Sequence, residues 1–470
     1  MNPDTFIDTL RNDLSAGAVL TEPADMAPHL TDWRGRYTGR ARAVVRPADT
    51  DEVSRVVRAC QQAKVPMVPQ GGNTGLCGGA TPSDAGDAIV LCLSRMNTIR
   101  HIDALDNTLT VDAGVTLAAA QAAAAGVGRL FPLSLASEGS CQIGGNLSTN
   151  AGGVHVLRYG TMRDLTLGLE VVLPDGAIWH GLRRLRKDNT GFDMKQLFIG
   201  AEGTLGIITG AVLKLFPRPR ASAVAWLATP SATAAVLLLA RLREHFAERI
   251  SAYELVSHTA LALVLEHIPA SQAPLAIASP WYVLLEITDS HAQRALSAEL
   301  EAALTPALED GLISDAAIAQ SDAQAAALWQ LREQISEAQK REGISIKHDI
   351  SVPVSAISEF LRRADEALTP TFPGVRIVAF GHVGDGNLHY NLSKPGTQDN
   401  TAFINQTDAV NRIVHDLVDA LEGSISAEHG LGQLKRDEIL RYKSDTEIAM
   451  MRTLKNALDP SGIMNPGKVI

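Results

Sequence analysis

The chain has 470 residues, 46% hydrophobic and 20% charged, a balance that suits a folded soluble protein and excludes a largely disordered chain or a collagen-like fibre. Lys and Arg number 42 against 52 Asp and Glu, a formal net charge of −10, so the surface as a whole repels nucleic-acid phosphates and anionic lipid. The four cysteines, Cys60, Cys77, Cys92 and Cys141, form no CxxC pair, which argues against zinc ribbons, Cys-ligated iron–sulfur clusters and a disulfide scaffold. The opening MNPDTFIDTL lacks a basic stretch followed by an apolar one. The longest apolar run, Ala234 to Ala240, falls well short of the roughly 20 residues of a membrane span. A soluble, cytoplasmic protein with no nucleic-acid or membrane partner is expected. At about 150 residues per domain, two to four structural units are expected.

Residues 1–36 carry no readable motif. From Arg40 a first unit begins. Ala43 to Val45 reads as a short strand stopped by Pro47. Thr50 is placed to cap a helix with Asp51 and Glu52 in its first turn, where the helix dipole favours anions. Val53, Val56, Val57 and Cys60 then recur at helical spacing. Val65 to Pro69 is a second strand and runs into Gln70-Gly71-Gly72-Asn73-Thr74-Gly75-Leu76-Cys77-Gly78-Gly79. Ile89 to Leu93 and Leu109 to Val115 are further strands. Two more glycine-rich stretches follow, Glu138-Gly139-Ser140-Cys141-Gln142-Ile143-Gly144-Gly145-Asn146 and Gly200-Ala201-Glu202-Gly203-Thr204-Leu205-Gly206-Ile207. Phe216-Pro217-Arg218-Pro219-Arg220 reads as a linker. Beyond it, Ala/Leu-rich helical stretches alternate with strands such as Trp281 to Ile287, a separate α+β unit.

Glycine lets backbone approach a ligand closely, and successive N–H groups in such turns make concave anion sites. Five glycines within 71–79, directly after a strand, suit a pyrophosphate cradle; a tight surface turn is the plain alternative. A P-loop is excluded, because Gly467-Lys468 lacks the required spacing and hydroxyl residue. The usual dinucleotide fingerprint is disfavoured, because GGNTG is followed by Gly-Gly and Pro82 rather than by a helix.

VPQGGNTGL, IGGNLSTNAGG and GAEGTLGIIT, in that order, resemble the FAD-binding domain shared by vanillyl-alcohol oxidase and its relatives. The resemblance implies a phosphate cradle at Pro69, Gly71, Gly72, Asn73, Thr74, Gly75 and Leu76. It also implies a flavin- and phosphate-lining stretch at Gly139, Ser140, Gly144, Gly145, Asn146, Ser148, Asn150, Ala151 and Gly153, and contacts from Glu202, Gly203 and Ile207. Some relatives bind flavin covalently through a His in the first loop. Here that residue is Asn73, which has no nucleophilic ring nitrogen, so non-covalent FAD is expected.

Val378 to Asn391 holds the richest pattern, VAFGHVGDGNLHYN. Asp385-Gly386 is a two-residue hairpin signal. With those two as the turn, His382 stands opposite His389, their Cβ atoms about 5 Å apart, and Asn391 shares the face of His389. Two imidazoles there suit a shared metal ion or simple hydrogen bonding. Ser426-Ala427-Glu428-His429-Gly430 offers an oxygen ligand and a further ring. Two histidines and a carboxylate leave coordination positions open, as in catalytic zinc sites, although iron or manganese would also fit.

GHVGDGNLHYN followed by SAEHGLG resembles the C-terminal half of the FAD-linked D-2-hydroxy-acid dehydrogenases. With the flavin motifs, the likeness spans residues 40 to 468. It implies that His382, His389 and Glu428 ligate zinc or another divalent metal, that Asn391 and His429 touch substrate, and that the chain returns to the flavin domain at Asn465. Arg332 and Ser336 lie four apart on one helix face, and Lys347 adds a second positive charge on an expected strand; each alone could be an ordinary surface residue. The pattern Arg332, Ser336, Lys347 is similar to that of the D-2-hydroxyglutarate dehydrogenase branch, with Ser in place of its Thr. Lactate-oxidising relatives usually lack the lysine, which favours a dicarboxylate.

The resemblance thus implies an α+β protein: a PCMH-type FAD-binding domain of two α+β subdomains, an α+β cap (substrate) domain on an antiparallel sheet, and a C-terminal helical segment. The expected boundaries are 1–36, 37–219, 220–426 and 427–470. The implied activity is oxidation of D-2-hydroxyglutarate, with D-malate or D-lactate as further substrates and His429 as base. Electrons pass to a separate acceptor such as an electron-transfer flavoprotein, and a homodimer is expected. Alternatives are a D-lactate or glycolate dehydrogenase of the same fold, an oxygen-using alcohol oxidase, and a non-catalytic flavin-binding subunit.

Overall fold

A computed structural model describes residues 3–292, 294–396 and 399–470. The chain divides into two units: 1–152, 160–218 and 429–470 form the first, and 153–159 with 219–428 form the second. Residues 1–2 of the expected N-terminal segment lie outside the described residues.

In the first unit, a four-stranded sheet runs in the order Val19–Leu20, Ala43–Val45, Ile89–Cys92, Met67–Gln70. Its last three strands are parallel. The helix Thr50–Ala63 buries Val53, Val56, Val57 and Cys60, in one core with Phe6, Leu10 and Leu14 from the N-terminal segment. The cap of that helix is Asp49, not Thr50: the Asp49 side chain accepts the Glu52 N–H at 2.7 Å. Thr50 instead donates its hydroxyl to Glu170 at 2.6 Å. A carboxylate at the cap outcompetes the neighbouring hydroxyl for the free N–H groups.

A second, antiparallel sheet of this unit is ordered Ile99–Asp103, Thr108–Asp112, Ile207–Lys214, Thr166–Val172, Ile178–Gly181. The C-terminal stretch contributes the helices Ile439–Tyr442 and Asp445–Leu458. It then runs along the edge strand Met67–Gln70: the Met67 N–H donates to Ile463 at 2.8 Å, and the Asn465 N–H donates to Met67 at 2.8 Å.

The second unit is built on one eight-stranded antiparallel sheet. Its order is Asp315–Ile318, Ala221–Thr229, Trp281–Asp289, Ile250–Ser257, Arg376–His382, Asn387–Ser393, Ser345–Ile346, and Asp349–Ser351 also pairs with Asn387–Ser393. Helices cover both faces. Tyr253 turns toward the helix Ala232–Phe246, donating its hydroxyl to Ala235 at 2.6 Å. Val256, Trp226, Tyr282, Val378 and Phe380 turn the other way, into a core with Leu331, Ile335 and Ala338. The short helix Val156–Tyr159 packs in this unit too, and Arg158 donates to the Thr288 carbonyl at 2.9 Å.

The hairpin differs from the sequence expectation by two residues. Phe380, not His382, stands opposite His389. The strands end at His382 and resume at Asn387, so the loop has four residues. A type I′ turn needs φ > 0 at both central positions; here Gly386 has it (φ 89°) and Asp385 does not. Asp385 instead turns its carboxylate onto the Asn387 N–H at 3.0 Å. Gly381 closes the neck, since a Cβ there would lie 2.4 Å from the Asn387 carbonyl oxygen. A shift by two keeps every side chain on its face, so both histidines still share one.

Candidate active site

In the first unit the glycine loops pack back to back. A Cβ on Gly72 would fall 1.9 Å from the Ser140 carbonyl oxygen, and one on Gly144 would fall 2.8 Å from the Ala113 side chain. Pro69 fills the space over Gly203. Gly75, Gly139 and Gly145, by contrast, face open space. Asn73 adopts φ 53°, a left-handed conformation that Asn tolerates, and its amide donates to the carbonyls of Pro28 and Thr31.

Asn465 donates to the carbonyls of Gly79 and Glu202 at 3.0 and 2.8 Å. The Glu202 carboxylate accepts the N–H groups of Leu431 and Gly432. Both residues therefore stitch the C-terminal stretch to the loops. Asn150 accepts the Arg163 N–H, Ser148 donates to Gly144, and Asn146, Ala151 and Ile207 are buried. Gly153 begins the short stretch that belongs to the second unit. Buried oxygens of Gln142 and Asn465 lack a hydrogen-bond partner among the described residues. Open glycine backbone suits the phosphates of FAD, and the unpartnered oxygens suit the N–H and O–H donors of its flavin, ribityl or adenosine parts.

In the second unit, one sheet face gathers the other candidates. Glu254 pairs with His382 across neighbouring strands, and His389 and Asn391 follow on the next strand. Ile346 opposite Leu392 and Asp349 opposite His389 share one register, which sets Lys347 opposite Asn391. Lys347 is exposed and lies in a two-residue gap between Ser345–Ile346 and Asp349–Ser351, not within the expected strand. The Asn391 side chain reaches into the gap: its amide oxygen Oδ1 accepts the His348 N–H at 3.1 Å. The other end of the Asn391 amide donates to Gln339 at 2.9 Å.

Ligand atoms of His382, His389 and Glu428 lie within 4.8 Å of one another, the two rings 5.8 Å apart between centres. His382 Nδ1 meets Glu254 at 2.7 Å, and its Nε2 faces Glu428 at 3.5 Å. Asp349 accepts the Glu428 N–H at 2.9 Å and an Asn387 amide N–H at 3.0 Å. It thereby ties the strand to the segment that carries Glu428.

The charges are tightly interlocked. Burial would raise the Glu254 carboxyl, but the facing His382 and Arg332 hold it at about 2. Burial would lower His382, and Glu254 outweighs that, raising it to about 9. Burial lifts Glu428 to about 7, with the Asp349 and Asp385 carboxylates adding to it against the opposing pull of His382. Burial also lifts Asp385 to about 6. Two ring nitrogens and a carboxylate oxygen, amid this excess of acids, form a donor set that suits a divalent cation such as zinc.

The helix Asp322–Glu333 carries Arg332 in its last turn. Arg332 Nε donates to Glu254 at 2.8 Å, and its guanidinium lies 4.8 Å from the Phe380 ring centre. Its Nε is thereby engaged. Ser336 is exposed in the next helix, Ile335–Glu342, the two helices being separated at Gln334. His429 follows Glu428 in sequence and is half-buried. The sequence reading missed Glu254, Asp349 and Gln339. Glu254 had a signal, a lone acid in the apolar run ISAYELVS. Gln339 is fully buried, and its amide nitrogen lacks a partner among the described residues.

The fold and the comparisons agree. Residues 218–469 match the family of FAD linked oxidases, C-terminal domain, and residues 41–181 match the FAD binding domain family. The chain belongs to the FAD-linked oxidase family. It is 41% identical to the D-2-hydroxyglutarate dehydrogenase of Xanthomonas citri pv. viticola over 466 residues, 99% of this chain and 97% of that protein. It is 39% identical to a putative mitochondrial D-lactate dehydrogenase of Schizosaccharomyces pombe over 464 residues, 96% and 86% of the two chains. The solved structure of p-cresol methylhydroxylase with substrate bound superposes with a TM-score of 0.77 at 18% identity, covering 99% of this chain and 96% of that one. The expected PCMH-type α+β architecture is the observed one. No helix among the described residues is long and apolar enough to cross a membrane.

Proposed function

We propose that this protein is an FAD-dependent D-2-hydroxy-acid dehydrogenase that oxidises D-2-hydroxyglutarate to 2-oxoglutarate, with a divalent cation, zinc first, held by His382, His389 and Glu428. The observation that carries the reading is the convergence of those three donors on the sheet face that also bears Asn391 and Lys347, in a member of the FAD-linked oxidases. When bound, FAD would supply the two-electron acceptor and the cation would supply a Lewis acid for the hydroxy acid. The protein's own residues do the rest. A ring nitrogen of His429 takes the C2 hydroxyl proton. The terminal nitrogens of Arg332 and the Lys347 ammonium hold carboxylate charge and orient C2. Ser336 and Asn391 complete the polar wall.

The test is anaerobic mixing with D-2-hydroxyglutarate, D-malate and D-lactate, following loss of the flavin absorbance. Bleaching should be most efficient with D-2-hydroxyglutarate. Lys347→Ala should raise KM for that substrate about tenfold or more, the worth of one charged hydrogen bond, and leave D-lactate oxidation within about twofold. Faster bleaching by D-lactate, untouched by Lys347→Ala, would favour a D-lactate dehydrogenase, the activity named for the Schizosaccharomyces pombe relative.

The FAD is read as non-covalent because Asn73 replaces a linkable histidine. Acid precipitation should release the yellow chromophore to the supernatant; colour retained on the pellet rejects this. The reading also takes a cytoplasmic homodimer that hands electrons to an electron-transfer flavoprotein. Reduction of such an acceptor by substrate-reduced enzyme is the corresponding assay.

A further inference from the structure

We infer that Glu254 is a positioning residue that aligns both sides of the hydroxy-acid site at once, the ring of His382 and the guanidinium of Arg332. The inference rests on the metal reading above. Glu254 is fully buried on a strand whose two faces are both covered. One carboxylate oxygen meets His382 Nδ1 at 2.7 Å and the other accepts Arg332 Nε–H at 2.8 Å. An ionised carboxylate only accepts hydrogen bonds. The proton between Glu254 and His382 therefore sits on Nδ1, and Nε2, which faces Glu428 at 3.5 Å, is the nitrogen left to a cation once any proton on it is displaced. That is the tautomer a cation requires, and a carboxylate behind a ligating histidine is the usual way to fix it.

The same carboxylate fixes Arg332 from the opposite side. With Nε held and the guanidinium 4.8 Å from the centre of the Phe380 ring, only the fork of terminal nitrogens is left to meet an anion, in one orientation. Phe380 lies two residues before His382 on the same strand face. One side chain thus couples ligand geometry to anion geometry.

Glu254→Gln tests this without changing shape. An amide presents a donor at one end. Facing His382, that donor favours the tautomer with the proton on Nε2, which has no lone pair for a cation. The expected result is a Zn2+ affinity about ten- to hundredfold weaker, measured by competition with a chromogenic chelator, with FAD content unchanged. Co2+ bound to the variant should give a visible spectrum different from that of the wild type. At saturating Zn2+, KM for D-2-hydroxyglutarate should also rise. The double variant Glu254→Leu/Arg332→Met removes the stranded buried cation and leaves no acceptor behind Nδ1, so the metal measurement stands if the single variant folds poorly. Wild-type Zn2+ affinity in both variants would reduce Glu254 to a structural ion pair and overturn the inference. A wild-type protein that takes up neither Zn2+ nor Co2+ would overturn the metal reading and this inference with it.

Discussion

Replacing His429 with alanine should lower kcat at least a hundredfold while FAD content and the unfolding temperature stay at wild-type values. Positioned general bases contribute about 10²–10⁴-fold, and an imidazole titrates where a base near neutrality must. Nearby, Glu254 is held by Arg332 and His382, and Asp349 accepts the Glu428 N–H and an Asn387 amide N–H. The pH profile gives a second readout. A base must be unprotonated to act, so wild-type kcat/KM should fall on the acid side of the profile, and that limb should vanish in the variant. A loss under about fivefold, with the limb intact, removes His429 from the role.

Stripping the proposed divalent cation, or replacing His389 with alanine, should cost about a thousandfold in turnover. A Lewis acid at the reacting oxygen is worth several kcal/mol, and each 1.36 kcal/mol or so is tenfold in rate. The two treatments separate on repair. Zn2+ added back should restore the chelated wild type and leave His389→Ala inactive, because the remaining donors, His382 and Glu428, are too few to close a site. Undiminished turnover in protein shown by elemental analysis to be metal-free rejects the cation's part in the reaction.

The sequence exposed this site unevenly, for physical reasons. Glycine motifs announce themselves because backbone packed against backbone, as at Gly72 and Ser140, tolerates no Cβ. The histidines were legible because a strand's period of two survives a register error. The hairpin shifted by two and both rings stayed on their face. The error itself came from Asp385, whose carboxylate caps Asn387 where turn statistics assign it a positive φ. Glu254 showed in the sequence only as a lone acid in an apolar run. It lies far from His382 in sequence, and only pairing of their strands shows what the buried acid faces. Arg332 was found for its charge, but its tie to Glu254 depends on a helix packing over that same sheet, which spacing cannot reveal.

The run of residues 463–465 beside Met67 bears on how the polypeptide matures during synthesis. The second unit's residues have all emerged by Glu428, whereas the flavin unit still lacks 429–470. Until those arrive, the Met67 N–H and carbonyl on the edge of the parallel sheet have no covering strand. A nascent chain stalled or trimmed near its carboxyl end would therefore present an uncapped β-edge, prone to pairing with its neighbours, while its other unit has every residue it needs.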